Sequence, residues 1–294
     1  MLKSNKINKY IWLCDKSQNT GEGRLAHLFL NKEKIKINKY TRHKINNKIF
    51  LHKYVLPLVG VFFCWYNFLK KKKIYYINYL PLWNFLIFLL LPPKTVIGPV
   101  TGGAYYKSSI IRKYIFPILY SVSQIIIYFR FNHINFATSL LKKNLFFFNK
   151  KKSSFNFVLN ALKKKRKNKK KNIDFLIYYR DHLNKKSLFP YSLIKKIVLL
   201  NFSVYVVGDH LNLKGVKNLG KLTNQKIDKY LANTKFSIAS EENPLSFFTL
   251  ECINNHVKIL IGNKKKIEIK NLKKNFIKIN TNSNNLNYIF KILT

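Results

Sequence analysis

The sequence predicts an α/β protein with two Rossmann-like domains, and three observations support this prediction. Short apolar segments rich in Ile, Val, Phe and Tyr alternate with helical patterns, and this scheme occurs once in each half of the chain. Continuous apolar strands between helices are typical of parallel sheets that are covered on both faces. A Lys-rich segment at 149–172 separates the two series, because like charges at this density repel one another and stay solvated.

The predicted elements follow the same order in both halves. In the first half, strands are expected at 9–15, 73–80, 94–100 and 133–139, with helices near 23–35, 52–70, 83–91 and 110–130. In the second half, strands are expected at 173–180, 202–209, 234–240 and 256–262, with helices near 189–200, 224–233 and 245–255. The predicted domains therefore span 1–148 and 173–294, and residues 149–172 form a linker between them.

The charge balance narrows the classes of partner. The chain has 55 Lys and Arg against 11 Asp and Glu, which gives a net charge of +44. Such a balance is typical of proteins that bind nucleic acid or an anionic membrane surface. Arginine, the preferred reader of phosphates and base edges, is rare, whereas Lys, Asn, Ile, Phe and Tyr, whose codons are rich in A and T, are abundant. We therefore attribute much of the charge to the base composition of the genome, and expect a weak attraction to anionic lipid and no nucleic acid. Cys14, Cys64 and Cys252 match neither a metal site nor a disulfide framework, which indicates a reduced cytoplasmic setting.

Three apolar stretches, at 55–69, 80–92 and 115–129, need to be weighed as membrane spans. Each is shorter than the roughly 20 residues that a spanning helix needs, and proline interrupts or ends each of them. We therefore expect helices that do not cross a bilayer. Lysines at 70–73 border the first stretch, so a peripheral position on the inner face of the cytoplasmic membrane fits the pattern.

Two glycine-containing turns of the first domain are candidate ligand loops, with Gly21, Glu22, Gly23 and Arg24 in the first and Gly98, Thr101, Gly102 and Gly103 in the second. Each turn follows a predicted strand, and ligands bind at the carboxyl ends of strands in open α/β sheets. The first turn lacks the third glycine of a dinucleotide fingerprint. In both turns, an ordinary bend that requires glycine is the alternative.

The second domain offers cations after its first predicted strand. Arg180 ends that strand, and Lys185 and Lys186 follow it closely. Arginine binds phosphate oxygens through a planar fork, whereas lysine acts as a point charge. Because lysine is abundant in this chain, Arg180 is the more informative residue.

The segment 240–263 holds three of the scarce carboxylates, which are Glu241, Glu242 and Glu251. Asn243 is a favoured N-cap and Pro244 a favoured first helical residue, so a helix is expected to begin at Pro244. The backbone amides at such a helix start attract anions. These amides belong to Leu245, Ser246 and Phe247. In the alternative interpretation, Glu242 only offsets the helix dipole and Glu251 is a solvated side chain.

Taken together, these segments resemble a group 1, or family-four, retaining glycosyltransferase of the GT-B type. In that family an Arg and a Lys lie about five residues apart after the first strand of the second domain, which matches Arg180 with Lys185 or Lys186. The stretch "VKNLGKL", which ends at Leu222, resembles a family segment near the nucleotide base. The family's Glu-x7-Glu motif places its second Glu at Glu251.

The resemblance implies two Rossmann-like domains facing a cleft, with the acceptor side in the first domain and the nucleotide-sugar in the second. Glu251 would bind the ribose hydroxyls. The first acidic position falls on Asn243 rather than Glu242, so either residue would contact the transferred sugar. No metal or other cofactor is implied. The expected reaction transfers a sugar, with retention, to a surface-glycan or lipid-linked acceptor in polysaccharide or lipopolysaccharide assembly.

Two alternatives remain open at this point. "KFSIASEENPLSFFTLE" is also similar to a stretch of GT-B fucosyltransferases, although Cys252 stands where that family has Lys after the glutamate. The other alternative is a non-catalytic basic protein that docks on a membrane or on nucleic acid.

Overall fold

The computed structural model of the 294-residue chain describes residues 9–35, 52–102, 114–139, 153–163, 171–181, 186, 188–241, 243–280 and 286–293. The chain divides into two compact units, Met1–Val158 and Leu159–Thr294. The division falls inside the segment predicted as a linker, and part of that segment has regular structure. Ser153–Ser154 forms a strand, and Phe157–Ala161 forms a 3-10 turn.

Unit 1 contains short strands and four described helices. The strands are β1 Lys9–Trp12, β2 Lys73–Tyr76, β3 Val96–Ile97, β4 Ile134–Asn135 and β5 Ser153–Ser154. The helices are α1 Gly21–Lys32, α2 His52–Leu69, α3 Phe85–Leu90 and α4 Phe116–Arg130. Each predicted strand of this half is present but shorter than expected. The strand predicted at 94–100, for example, ends at Ile97. Gly98 and Pro99 follow β3, and proline has no amide for the strand ladder.

The strands of unit 1 pair in parallel, in the order β1-β2-β3 and β4-β5. Backbone hydrogen bonds connect the two groups, since the Val100 amide donates to Asn135 O at 2.8 Å. Helix α2 packs across this sheet, where the Trp12 ring stacks on Phe63 with centroids 5.9 Å apart. Gly60 makes room for that ring, because a Cβ there would lie 2.1 Å from Trp12 Nε1.

Unit 2 has longer strands. The strands are β6 Ile173–Tyr179, β7 Val204–Gly208, β8 Val216–Gly220, β9 Thr234–Ile238, β10 Lys258–Gly262 and β11 Phe276–Ile279. The central strands β6 and β7 are rich in β-branched and aromatic residues, which favour strands. The helices are α5 Tyr191–Leu199, α6 Asn224–Ala232, α7 Phe247–Asn254 and α8 Leu286–Leu293. Strands β8 and β11 were not predicted from the sequence.

The six strands of unit 2 form one parallel sheet in the order β11-β10-β9-β6-β7-β8. Counted from β6, this is the 6-5-4-1-2-3 order of a doubly wound Rossmann sheet. From β6 the chain adds β7 and β8 on one side, and it then returns to add β9, β10 and β11 on the other side. The order in which strands are added therefore reverses between β6 and β9. The two units have separate sheets, in agreement with the predicted fold class.

The three apolar stretches of the first half are found in α2, α3 and α4 with their flanking residues. Within the part of the chain that the structure describes, no helix has both the length and the apolar character needed to cross a bilayer.

Candidate functional site

The strongest candidate site lies in unit 2, where the strand order reverses between β6 and β9. In a doubly wound sheet, the crevice for a ligand opens at this point, beyond the carboxyl ends of the strands. Arg180 directly follows β6 and is exposed at this edge. Tyr178 on β6 stacks on Phe248 of α7, with ring centroids 5.6 Å apart. The first turn of α7 therefore lies beside the end of β6, where a helix dipole attracts anions.

Asp209 organises the neighbouring strand end. It follows Gly208 at the end of β7, and its Oδ2 accepts a hydrogen bond from the Asp181 amide at 3.0 Å. Lys221 Nζ lies 3.1 Å from Asp209 Oδ1. The hydrogen bond from Lys221, the Asp181 amide and the charge of Arg180 hold the pKa of Asp209 below its usual value. Sequence reasoning missed Asp209, although an acid directly after a parallel strand in so basic a chain was a usable signal.

Gly208 fits this edge for a steric reason. Its φ is +112°, and a Cβ at this position would lie 2.1 Å from Tyr179 O. The ends of β6 and β7 can therefore approach each other only because this residue has no side chain.

The helix predicted to begin at Pro244 begins later, and that prediction is wrong. Ser246 is the N-cap of α7, and its side chain accepts a hydrogen bond from the Thr249 amide at 3.2 Å. Pro244 instead occupies the second position of a β-turn, in which Asn243 O accepts from the Ser246 amide at 3.2 Å. Proline is as favourable in that turn position as at a helix start, so the sequence pattern fitted both structures.

This turn changes the predicted anion cradle. The Leu245 amide donates to Asn243 Oδ1 at 3.2 Å, and the Ser246 amide is bonded within the same turn. Two of the three predicted amides are therefore already engaged, and Phe247 is the first helical residue. The Asn243 side chain holds the turn together. Glu251 lies in α7 and is partly exposed.

The remaining residues predicted for this domain are placed as follows. Leu222 is partly exposed in the loop between β8 and α6, again at the carboxyl edge of the sheet. Lys186 forms an ion pair with Asp181, with 3.3 Å between Nζ and Oδ1. Lys185 and Glu242 lie outside the described residues. Cys252, which stands where the fucosyltransferase family has Lys, is buried.

A small depression lies at the same edge of unit 2. It is lined by the ends of β9, β10 and β11 and by the start of α5, and its lining includes Glu241, Gly262, Pro190 and Ile238. Glu241 is the carboxylate that borders it. The edge thus combines cations, an acidic side chain and a concave apolar surface.

Unit 1 has a second cluster at the carboxyl ends of its strands. Asn78, which is buried, accepts a hydrogen bond from the Cys14 amide at 2.7 Å and donates to Asp15 O at 2.5 Å. Asp15 Oδ1 in turn accepts from the Ser17 amide at 2.8 Å. Thr20, the N-cap of α1, accepts from the Gly23 amide at 3.1 Å. These bonds fix the loop that leads from β1 into α1.

Glu22 is the chemically distinctive residue of this cluster. It lies in the first turn of α1, and its carboxyl is hydrogen-bonded to the Tyr79 backbone and the Thr101 side chain. The residue as a whole is partly accessible, but its Oε2 atom is buried and has no hydrogen-bond partner among the described residues. Burial raises the pKa of Glu22 against the effect of these two bonds, and the nearby Asp15 raises it further. A carboxyl with a perturbed pKa at a strand end marks a candidate functional position.

The structure thus brings Glu22 and Thr101, from the two predicted glycine turns, to one place. Packing accounts for two of the glycines, since a Cβ at Gly23 would lie 1.9 Å from Ser17 O and one at Gly98 would lie 2.1 Å from Ile77 O. The other predicted residues of these turns were Gly21, Arg24, Gly102 and Gly103. Gly21 is exposed, Arg24 is partly buried in the first turn of α1, and Gly102 follows the Thr101 bridge. Gly103 lies outside the described residues.

Comparison with known proteins gives a likeness of fold. No protein-family model and no curated protein matches the chain. The fold is similar to that of UDP-GlcNAc 2-epimerase from Methanocaldococcus jannaschii, whose crystal structure contains UDP-GlcNAc and UDP. The TM-score is 0.50 and the sequence identity 12%, over 95% of this chain and 82% of that chain.

A weaker likeness is to the E. coli heptosyltransferase WaaC, solved with ADP-2-deoxy-2-fluoro heptose. Its TM-score is 0.34, with 11% identity over 85% of this chain and 78% of that chain, which is too low to support an argument.

The likeness to the epimerase confirms the predicted fold class, an α/β protein of the GT-B type with parallel sheets. A sequence identity this low shows a shared fold alone, and the function of the site depends on its own residues. Among the described residues, no three His, Cys, Asp or Glu side chains are grouped as metal ligands. The expectation of a reaction without a metal stays a prediction.

Proposed function

We propose that this protein is a glycosyltransferase that takes a sugar from a nucleotide-sugar donor. The observation that supports it best is the juxtaposition at the reversal point of unit 2, where Arg180 follows β6 and the first turn of α7 packs beside that strand. A cation and a helix start at one strand end suit a diphosphate. The GT-B type fold agrees with this proposal, because the epimerase it resembles was solved with UDP-GlcNAc and UDP.

The proposed roles follow from the chemistry of the transfer. The bond between the sugar C1 and the donor phosphate oxygen breaks, C1 bonds to the acceptor oxygen, which loses its proton, and negative charge grows on the departing nucleoside diphosphate. Arg180, with Lys185 or Lys186, would stabilise that charge, aided by the dipole of α7. Glu251 would accept hydrogen bonds from the ribose hydroxyls. Glu242 or Asn243 would contact the sugar, and no metal or other cofactor would be needed.

Further proposals concern the acceptor, the stereochemistry of transfer and the place of the reaction. We assign the acceptor to unit 1, where the two glycine turns bring Glu22 and Thr101 together at the carboxyl ends of the strands. The acceptor would be a surface glycan or a lipid-linked sugar, and transfer would retain the anomeric configuration as in family four. The work would take place at the inner face of the cytoplasmic membrane, in polysaccharide or lipopolysaccharide assembly.

Donor binding by the purified full chain tests the proposal. UDP-, GDP-, ADP- and dTDP-sugars would each be tested for a raised melting temperature, and the dissociation constant of the best one measured by calorimetry. Loss of a hydrogen-bond partner of a charged group costs about 1.5–3 kcal/mol, so Arg180→Ala and Glu251→Gln should each weaken binding at least about tenfold. Lys195→Ala, which removes an exposed cation from α5, is the matched control and should change little.

Two outcomes would count against the proposal. If no nucleotide-sugar or nucleoside diphosphate raises the melting temperature, the reversal point is not a donor site. If Lys195→Ala weakens binding as much as Arg180→Ala, the general positive charge of the chain accounts for binding, as the non-catalytic docking alternative requires.

A further inference from the structure

Three helices of unit 1 expose apolar side chains to solvent. The most prominent of these are Leu58, Phe62, Leu69, Leu89, Ile118 and Phe129, which together with their exposed apolar neighbours on α2, α3 and α4 are called here the apolar face. The exposed fraction is 68% at Phe62, 74% at Leu69 and 80% at Phe129. Isolated exposed apolar residues are common on proteins, but their concentration on three neighbouring helices marks an interaction surface.

The apolar face follows the helical repeat. On α2, Leu58, Phe62 and Leu69 are spaced by four and seven residues and therefore share one side of the helix. The opposite side of α2 is buried in the core through Leu56, Val61 and Cys64. Helix α4 repeats the arrangement, with Ile118 and Phe129 outward and Tyr120 and Ile127 inward. Each helix therefore has two apolar sides, and the core of unit 1 covers only one of them.

The three helices are held together as one surface. Helix α3 contacts both α2 and α4. Trp65 Nε1 on α2 donates a hydrogen bond to Leu90 O at 2.7 Å, which joins α2 to the end of α3. Arg130 at the end of α4 donates to Leu91 O at 2.6 Å and to Phe88 O at 3.2 Å, which joins α4 to the same end. The face is thus preformed and does not require a change of fold to meet a partner.

The charge around the apolar face has a single sign. Lys70, Lys71 and Lys73 follow α2 and are exposed, and Lys94 is exposed after α3. The Lys70 Nζ donates to Tyr66 OH at 2.5 Å. The sequence contains no Asp or Glu between Glu33 and Asp174, so no acidic side chain lies on α2, α3 or α4. Lysines at the ends of apolar helices attract anionic headgroups while the apolar side chains enter the lipid.

We propose that the apolar face is the docking surface for an anionic phospholipid bilayer, with α2, α3 and α4 lying in the headgroup region. This inference rests on the proposed function for its purpose, which is to bring the enzyme to a lipid-linked acceptor. It concerns a different surface from the donor site and is tested separately. Interfacial helices of this kind combine an apolar side with cations and do not span the membrane.

The charge pattern also decides against two other occupants. A second copy of this chain would bring its own lysines to the same surface, and like charges oppose that contact. A nucleic acid would meet the lysines, but it has no apolar surface to cover Phe62, Leu69 or Phe129. A bilayer with anionic headgroups satisfies the lysines and the apolar side chains together.

Flotation of the full chain with vesicles tests the docking surface. We expect binding to phosphatidylcholine vesicles that contain about 30% phosphatidylglycerol, and at least about tenfold weaker binding to phosphatidylcholine alone, because each cation near the surface contributes to attraction. The double variant Phe62→Ser, Phe129→Ser should bind the anionic vesicles at least about tenfold more weakly. Leu199→Ser is the matched control in unit 2, where Leu199 is 62% exposed, and it should bind like the wild type.

Several results would overturn the inference. They are failure of the wild type to bind anionic vesicles, equal binding to neutral vesicles, and equal loss of binding in the Leu199→Ser control. A dimer in solution that the double variant dissociates would assign the face to a second copy. Donor binding measured without lipid should be unchanged in the double variant. Lost vesicle binding with intact donor binding therefore separates this inference from the proposed function.

Discussion

The two units share parallel α/β architecture, but they differ in what they leave exposed. In unit 2 the exposed large apolar side chains are scattered over several elements, as at Tyr178, Leu199 and Phe290. In unit 1 they are concentrated on α2, α3 and α4. The acidic residues differ as well, because only Asp15, Glu22 and Glu33 belong to unit 1. A difference of this kind within one fold class is expected when two domains meet different partners.

The units also treat their carboxylates in opposite ways. Burial raises the pKa of Glu22 in unit 1. In unit 2, Lys221 lowers the pKa of Asp209, and hydrogen bonds from Lys235 and Ser203 lower that of Asp174 against the effect of burial. Hydrogen bonds and lysines thus lower the pKa of carboxylates in unit 2, whereas burial raises the pKa of a carboxyl in unit 1.

The largest expected effect concerns the ordered strand ends of unit 2. Gly208→Ala places a Cβ 2.1 Å from Tyr179 O at a φ of +112°. Strain of this kind costs about 1–3 kcal/mol for the backbone alone, and the contact adds to it, so we expect a loss of about 3 kcal/mol or more. Urea unfolding of the full chain, followed by circular dichroism, measures it.

Gly220→Ala is the matched control for this prediction. Gly220 has a φ of +70°, but a Cβ there would meet nothing within 4 Å. Only the left-handed backbone is penalised, so the loss should be about 1 kcal/mol. Equal losses in the two variants would show that backbone conformation, and not the close approach of β6 and β7, governs this edge.

Local patterns in the sequence predicted most of the fold. The runs at β6, β7 and β10 are largely apolar because these strands lie inside the sheet and are mostly buried, whereas β9 has Lys235 and Ser237 between its apolar residues. The two strands that were missed, β8 and β11, lie at the edges of the sheet and are less buried. An edge strand needs fewer apolar residues, so "VKNLG" lacked the signal that reveals a central strand.

The site was less predictable than the fold, because its geometry depends on contacts between distant residues. The position of Arg180 followed from the end of a strand. The start of α7 did not follow, since the Asn243 turn and the Ser246 cap compete for the same sequence pattern. Glu22 meets Tyr79 and Thr101 only in the folded unit, and no spacing along the chain indicates that meeting.

An intermediate effect is expected for substitution of Glu22, and it concerns how the free energy of unfolding depends on pH. It tests the contrast between the carboxyls of the two units. Below its ordinary pKa of 4.5, the carboxyl is protonated in the folded and unfolded chains alike. As the pH rises through 4.5 and then through the raised folded value, the unfolded chain ionises first, and the stability contributed by Glu22 is lost. Glu22→Gln should remove this decline, so the wild type should lose stability relative to the variant as the pH rises from 4 to 7.

Glu33→Gln is the control for Glu22→Gln. Glu33 is exposed at the end of the same helix, so its exchange should leave the pH profile of the unfolding free energy close to that of the wild type. Chemical denaturation at a series of pH values gives both profiles. Parallel profiles for Glu22→Gln and the wild type would mean that the Glu22 carboxyl is not buried in solution.

The smallest effect is expected for the Asp174 ion pair of unit 2, and its pH dependence has the opposite sign. Lys235 Nζ lies 2.9 Å from Asp174 Oδ1, but the lysine side chain is 48% exposed and screened by water. Lys235→Ala should therefore cost about 0.5 kcal/mol or less at neutral pH, and added salt should reduce the difference.

Asp174 also accepts from the Ser203 amide at 3.0 Å and from its hydroxyl at 2.9 Å, so Asp174→Asn should cost more, about 1 kcal/mol. Because the folded pKa is lowered, the contribution of Asp174 is present above its ordinary value of 3.8 and is lost as the pH falls below it. Unfolding measured at low and high salt checks Lys235→Ala. A loss of unfolding free energy above about 1.5 kcal/mol that salt leaves unchanged would contradict this prediction and show that the ion pair is shielded from solvent.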